Sequence, residues 1–309
     1  MVSVVLAGGS GGLGREVLLA IRATGKHHVK VFSRKPCPDI ADLGVEVVQV
    51  DYADPEHLAS SLNGVHTVLS FVLDNETCNV QRPLVDACVK AGVRRFAPSE
   101  WAWAPDGNPV FRYKENMRKY LEEINTPVQK LEYTLFQPGW FMNYLTYPRS
   151  SCRYFHQTCV WIDLNACQAL AVRDADPWIA LTTVQDTARV AALALDDPVA
   201  WPVAGHIVES RIKLRNLIKL AERMRGRSFD VHEVDIADIE NGKLKSSWLP
   251  PTTHPTAGSS SDFAEAMACL WLSSAIHGAM DGSPIWNERL PNLQLTDAES
   301  FLSEWYKDV

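Results

Sequence analysis

Apolar and polar positions along the first 140 residues switch repeatedly between two periods. Ser3–Ala7 is a short uncharged apolar run rich in β-branched residues, and it enters a glycine cluster. An apolar-periodic segment through Val17, Leu18, Leu19 and Ile21 leaves that cluster and runs out near Gly25. The pattern predicts a strand, a tight turn and a helix. Further strands are expected at Val29–Ser33, Val45–Val50, His66–Val72, Val93–Ala97 and Tyr133–Gln137. Between them lie helical patterns: one opened by Asp54-Pro55 and stopped at Asn63-Gly64, one from about residue 80 to Gly92, and one over Arg112–Ile124. Strands alternating with helices predict an α/β fold, a Rossmann-type doubly wound parallel sheet covered on both faces.

Beyond Gly139 tryptophan, proline and short extended runs become frequent, at Cys159–Asp163, Gln168–Val172 and Trp178–Thr183. Helical patterns return at Gln185–Leu195, Leu214–Met224, Asp262–His277 and Thr296–Trp305, and Trp248–Ser261 reads as a long irregular loop. The expected organisation is a dinucleotide-binding domain over 1–145. A smaller substrate-covering region over 146–309 follows, interleaved with late strands and helices of the sheet.

The glycine cluster carries the first candidate chemistry. Gly8, Gly11 and Gly14 recur at three-residue intervals around Ser10, Gly12 and Leu13, directly after a leading strand. Residues without Cβ atoms let the backbone turn sharply and approach a pyrophosphate, with the N-terminal N–H groups of the helix facing the anion. A merely structural turn is the alternative. The end of the second strand then selects the cofactor. Ser33-Arg34-Lys35 puts a hydroxyl and two cations where a carboxylate would select NAD, and the next acid is Asp39. Guanidinium and ammonium groups suit a 2′-phosphate, so NADP(H) is the expected cofactor. Asp51, after the third strand, would border the adenine. Ser70, Phe71 and Val72 end the fourth strand at the expected reversal of strand order, beside the nicotinamide, although core packing accounts equally well for Phe71 and Val72.

Composition narrows the function classes. The 309 residues are 46% hydrophobic, enough for a large core, and a net charge of −7 disfavours a nucleic-acid surface. No 18-residue apolar run or charged leader occurs, which excludes a membrane span or signal peptide as a reading. The seven cysteines are scattered without a Cys-x-x-Cys pair, so a reduced, metal-free cytoplasmic protein is expected, as monomer or homodimer.

Four segments resemble one family. Ala91-Gly92-Val93-Arg94-Arg95-Phe96-Ala97-Pro98-Ser99-Glu100-Trp101 is similar to the A-G-V-K-R-F-x-P-S-E-F segment of the NmrA-like and isoflavone-reductase-like proteins, which are atypical short-chain dehydrogenase/reductases. Gly8, Gly11 and Gly14 have that family's glycine spacing, and Arg34 takes its phosphate-recognition place. Gln137-Pro138-Gly139-Trp140-Phe141-Met142-Asn143 resembles the P-G-x-F-M-x-N turn, and Thr183-Val184-Gln185-Asp186-Thr187-Ala188 the T-x-x-D-x-A helix start. The resemblance covers roughly the first 240 residues and implies a fungal secondary-metabolism enzyme.

It also maps the family's lysine onto Lys114, implying contact with the nicotinamide ribose and a part in proton transfer; an exposed lysine on an amphipathic helix is the competing reading. The tyrosine that ordinary short-chain dehydrogenases carry four residues earlier is replaced by Val110. The neighbouring Tyr113 is expected to point elsewhere, since adjacent helical residues diverge. Glu100 is either a catalytic acid/base or an anchor for its loop. Trp101 and Trp103 follow it, and Trp140, Phe141 and Tyr144 cluster after the sixth strand, where they would wall a site for an aromatic, including indole-type, small molecule. Three functions compete: NADPH-dependent reduction of a C=N, C=C or C=O bond; Pictet–Spengler-type cyclisation through an iminium, with Glu100 as the base; and NADP sensing without catalysis.

Overall fold

The computed structural model describes residues 1–104, 109–255 and 258–307. Its first half runs β1 (Ser3–Ala7), α1 (Gly12–Ala23), β2 (His28–Ser33), α2 (Pro38–Ala41), β3 (Glu46–Gln49), α3 (Pro55–Ser61), β4 (Thr67–Ser70), α4 (Gln81–Ala91), β5 (Arg95–Ala97), α5 (Arg112–Ile124) and β6 (Glu132–Tyr133). These strands form one six-stranded parallel sheet in the order β3-β2-β1-β4-β5-β6. The order reverses between β1 and β4, which opens a crevice at their carboxyl ends. The expected doubly wound architecture is therefore present.

The second half continues as β7 (Leu135–Gln137), β8 (Trp140–Phe141), β9 (Ile162–Asp163), β10 (Gln168–Val172), β11 (Trp178–Thr182), α6 (Val184–Ala194), β12 (Ala204–His206), β13 (Ser210–Lys213), α7 (Leu214–Arg225), β14 (Asp230–Val234), α8 (Ile236–Glu240), α9 (Ser261–Ile276), α10 (Ile285–Arg289) and α11 (Ala298–Tyr306). The single sixth strand expected over Tyr133–Gln137 is broken at Thr134. Its first piece ends the central sheet and its second pairs with β12. β8 pairs with β11, and β10 lies between β9 and β14. The loop over 248–261 has no regular secondary structure before α9 beyond a bridge between His254 and Gly258; residues 256–257 of it lie outside the described residues.

Three apolar clusters hold these layers together. One face of the sheet packs α1 against α6 through Val17, Leu18, Val190 and Ala191. The other is covered by α3, α4 and α5 through Leu58, Leu84 and Met117. A third cluster, built on Trp140, Trp161, Leu170 and Leu217, fills the C-terminal half. Arg95 ties the first two layers to the chain after α6: its guanidinium donates to Glu132 at 2.7 Å, the Asp197 carbonyl at 2.8 Å and the Val199 carbonyl at 2.9 Å. Every hydrogen bond of this buried cation thus serves the fold. Among the described residues no helix is long and apolar enough to cross a membrane, and no group of three His, Cys, Asp or Glu side chains is arranged around a metal position.

Gly139 controls how the C-terminal half seats on the sheet. Its φ of +69° is left-handed, and a Cβ added there would lie 2.3 Å from the Ala180 carbonyl oxygen on β11. Gly139→Ala combines backbone strain with a backbone clash and should lower stability by on the order of 3–5 kcal/mol. Urea unfolding measures it; a loss under about 1 kcal/mol would mean that the β8–β11 junction yields.

Candidate functional site

Two cavities flank the glycine turn at the carboxyl ends of the central strands and share Phe71 and Leu73. The first, ≈ 530 Å³, is lined by Gly8, Ser10, Ser33, Arg34, Lys35, Tyr52 and Val72 among others. The second, ≈ 310 Å³, is lined by Gly11, Gly12, Leu13, Gly14, Ser99, Glu100, Trp101, Tyr113, Lys114, Phe141 and Phe155. The crevice predicted at the strand-order reversal therefore receives residues from both halves of the chain.

The first cavity, together with the glycine turn that separates it from the second, has the chemistry of a dinucleotide groove. The two outer glycines are required by the protein itself: Gly8 has φ +81°, and a Cβ on Gly14 would lie 2.8 Å from the Gly8 carbonyl oxygen. Gly11 is different. A Cβ there meets nothing within 4 Å, and its φ of −151° is open to any residue. Gly11 is also the N-cap of α1, so the first-turn N–H groups receive no side-chain cap. Arg34 and Lys35 are exposed at the far end and form no ion pair among the described residues. The Tyr52 hydroxyl, buried nearby, has no hydrogen-bond partner among the described residues. A bare helix terminus, two uncommitted cations and an orphan hydroxyl fit a phosphorylated dinucleotide.

Three expected cofactor contacts lie differently. Asp51 faces a neighbouring cleft with Arg34, Gln49, Val50 and His57, and one of its carboxylate oxygens accepts the Ala53 N–H at 2.9 Å. Ser70 is fully buried and lines neither cavity; its carbonyl accepts the Trp101 indole N–H at 2.7 Å. Lys114 lines the second cavity, which it shares with Gly11, Gly12, Leu13 and Gly14, and not the first.

Around the second cavity α5 and the segment after β5 lock together. Glu100 is buried, and its two carboxylate oxygens accept from Arg118, Nε at 2.6 Å and a terminal nitrogen at 3.1 Å. Lys114, one helical turn before Arg118, turns its ammonium onto the Glu100 main-chain carbonyl. Lys114 is only 5% exposed, and burial lowers its pKa to about 8, with the Glu100 charge opposing that shift and Arg118 adding to it. An exposed-lysine role is thereby excluded.

Tyr113 corrects the expectation that it points elsewhere: it lines the same cavity as Lys114, because the cavity wraps the first turn of α5. Its hydroxyl makes no hydrogen bond among the described residues, and burial pushes its pKa upward, so it stays protonated. Val110 is 56% exposed and is not among the cavity-lining residues.

Of the five aromatics expected on a substrate wall, Trp101 and Phe141 line the cavity. Trp101 adopts a left-handed φ of +34° and stacks on Phe71 and Phe136 at 4.5 and 4.9 Å, so packing over-determines a strained backbone. Trp103, Trp140 and Tyr144 lie behind the wall. Trp140 is 1% exposed and packs on Trp161, while Trp103 and Tyr144 contact Trp271. Large rings near a strand end serve the core as readily as a ligand. Sequence reasoning missed Phe155, which lies on an irregular loop and packs edge-on against Phe141 at 5.0 Å. It also left out Ser99, whose place in the Pro98-Ser99-Glu100 motif was the available signal.

The glycines separate fold from ligand. Gly14→Ala should destabilise the protein by about 1–3 kcal/mol through the clash with Gly8, whereas Gly11→Ala should leave stability within about 0.5 kcal/mol and weaken dinucleotide binding. Thermal unfolding and calorimetric titration of both variants test the contrast. Unchanged binding by Gly11→Ala would make the open space at the helix terminus incidental.

Comparison with known proteins gives the fold company. Oxidoreductase swnN of Metarhizium robertsii is 26% identical, the match covering 99% of this chain and 98% of that protein. Among solved structures, the NADPH complex of the quinone oxidoreductase QOR2 from Escherichia coli superposes with a TM-score of 0.70 at 20% identity, covering 97% of this chain and 99% of that one. AtPrR2 with NADP+ and (+)-pinoresinol gives 0.71 at 18% identity, covering 98% of each chain. The sequence model of the NmrA-like family matches residues 2–245, a span that takes in the glycine turn, the groove cations and Lys114, and the chain belongs to that family.

Proposed function

We propose that this chain is an NADP(H)-dependent reductase of an aromatic small molecule, acting on a polarised C=O, C=N or conjugated C=C bond. The observation that carries the reading is the buried Lys114 ammonium in an aromatic-lined cavity against the glycine turn. The related swnN is named an oxidoreductase, the QOR2 structure holds NADPH, and the AtPrR2 structure holds NADP+ with (+)-pinoresinol. NADPH, when bound, supplies a hydride to the electrophilic carbon.

The chain supplies the rest. Lys114 delivers a proton to the atom that accumulates negative charge, and a pKa near 8 keeps it charged yet acidic enough to do so at neutral pH. The Tyr113 hydroxyl, uncommitted and protonated, donates a hydrogen bond to the same acceptor. Glu100 positions Lys114 through its carbonyl, while its carboxylate is occupied by Arg118. Phe71, Phe141 and Phe155 exclude water and receive an aromatic ring. The cyclase alternative needs Glu100 as a proton acceptor. With both oxygens engaged by a guanidinium, reduction is the better-supported reading.

Nicotinamide absorbance followed across aromatic quinones, enones and cyclic imines tests this, with indole-amine and aldehyde pairs included. Oxidation of NADPH with one class supports the reading, whereas condensation products without oxidation would replace it by the cyclase. For a substrate reduced with proton uptake, kcat/KM should fall as pH rises through about 8, since only protonated Lys114 donates. Lys114→Met should remove that limb and lower turnover by roughly 10²–10⁴. A pH profile unchanged by Lys114→Met would place the donor elsewhere.

A further inference from the structure

We propose that Arg15 is a third cation for the 2′-phosphate of NADP(H), held ready for it by Asp39. The proposal rests on the NADP(H) reading above and reaches a residue outside both the glycine spacing and the Arg34-Lys35 pair.

Arg15 lies in the first turn of α1, directly after Gly14, and is 9% exposed. Its guanidinium is bound to the Asp39 carboxylate, and its buried Nε has no hydrogen-bond partner among the described residues. Asp39 follows Cys37 by two residues, and Cys37 closes the run Ser33–Cys37 that walls the dinucleotide groove. The ion pair therefore ties the Arg15 guanidinium to the first turn of α2, which continues the loop that presents Arg34 and Lys35; Arg15 itself lines neither cavity.

The pair is asymmetric in a way that favours exchange. The Arg15 side chain is 10% exposed, while that of Asp39 is 58% exposed. The carboxylate can turn into water at little cost, but the guanidinium has no comparable escape. Arg15 does not depend on Asp39 for its position either. Its guanidinium carbon sits 4.1 Å from the centre of the Tyr154 ring, and the Tyr154 N–H donates to Glu16 on the same helix at 2.7 Å. When the carboxylate leaves, an oriented cation remains. A phosphate monoester carries about −1.5 to −2 charges and three acceptor oxygens, so it outcompetes one carboxylate for that cation. Arg34 and Lys35, exposed and unpaired, are ordered only as the phosphate arrives; Arg15 is ordered in advance.

Calorimetric titration of the full chain with adenosine 2′,5′-bisphosphate and with adenosine 5′-monophosphate isolates the 2′-phosphate without any turnover. Wild type should prefer the bisphosphate. Arg15→Met should cut that preference roughly ten- to hundredfold, the scale of a charge-assisted hydrogen bond, with monophosphate affinity unchanged. Arg15→Lys should restore part of it, which separates lost charge from lost packing against Tyr154. Asp39→Asn should raise bisphosphate affinity when Arg15 is present and not in the Arg15→Met background. An Arg15→Met preference within about twofold of wild type would overturn the proposal and leave NADP(H) binding to Arg34 and Lys35. Equal binding of both nucleotides by wild type would overturn the NADP(H) reading and this proposal together.

Discussion

The site depends on how a buried ammonium is solvated. Lys114 sits where water is largely excluded, and a charge in such a place survives only if the protein supplies the hydrogen bonds that water would. The Glu100 carbonyl is that acceptor, so the segment after β5 must be held to within a few tenths of an ångström. Arg118 does this by taking both oxygens of the Glu100 side chain in a planar fork, one turn further along the helix that carries Lys114. The same residue thus offers its main chain to one cation and its side chain to another. Burial still lowers the lysine's pKa to about 8, so it stays charged at neutral pH but gives up its proton more readily than an exposed lysine.

The wall opposite comes from the other half of the chain. Phe141 arrives on β8, whose register is set by its pairing with β11. Phe155 arrives on a loop pinned from both ends. Glu16 on α1 takes the Tyr154 N–H, and Gln157 accepts the Ser151 N–H at 2.6 Å while its amide nitrogen donates to the Thr146 hydroxyl at 2.8 Å. The helix whose uncapped terminus borders both cavities therefore also anchors the loop that carries Phe155 to the second one. Groove and cavity are built on one scaffold, and Phe71 and Leu73 stand between them.

Much of this was readable from residue order alone, for a physical reason. Glycine spacing, a strand end rich in cations and the period of apolar residues are local signals, and backbone sterics ties them to local structure. The parallel sheet, the groove glycines and the placement of Arg34 and Lys35 followed from them. Tertiary contacts were not readable in the same way. Tyr113 was dismissed because adjacent helical residues diverge, yet a cavity that wraps a helix end collects both neighbours. Trp103, Trp140 and Tyr144 were placed on the wall because large rings clustered near strand ends. Rings of that size are as useful behind the wall, where Trp140 packs on Trp161. The break at Thr134 was invisible because an uninterrupted apolar run does not record which sheet each residue joins.

Charge shows how an acidic protein keeps a phosphate-binding end. The chain carries a net −7, and its long-range field repels anions, but that field decays within about 8–10 Å at physiological ionic strength. Inside that distance the local pairing pattern decides. Arg95, Arg118, Arg173, Arg189, Arg211, Arg215 and Arg289 each spend their guanidinium on a carboxylate of the fold. At the groove the pattern is inverted: Arg34 and Lys35 form no ion pair among the described residues, and the Asp39 carboxylate that holds Arg15 nearby is mostly in water. Acidic residues elsewhere neutralise the structural arginines, and the acids at this end, Asp39 and Asp51, form no ion pair with Arg34 or Lys35 among the described residues. The field of such exposed cations is short-ranged, so it acts by contact geometry rather than by drawing anions from afar.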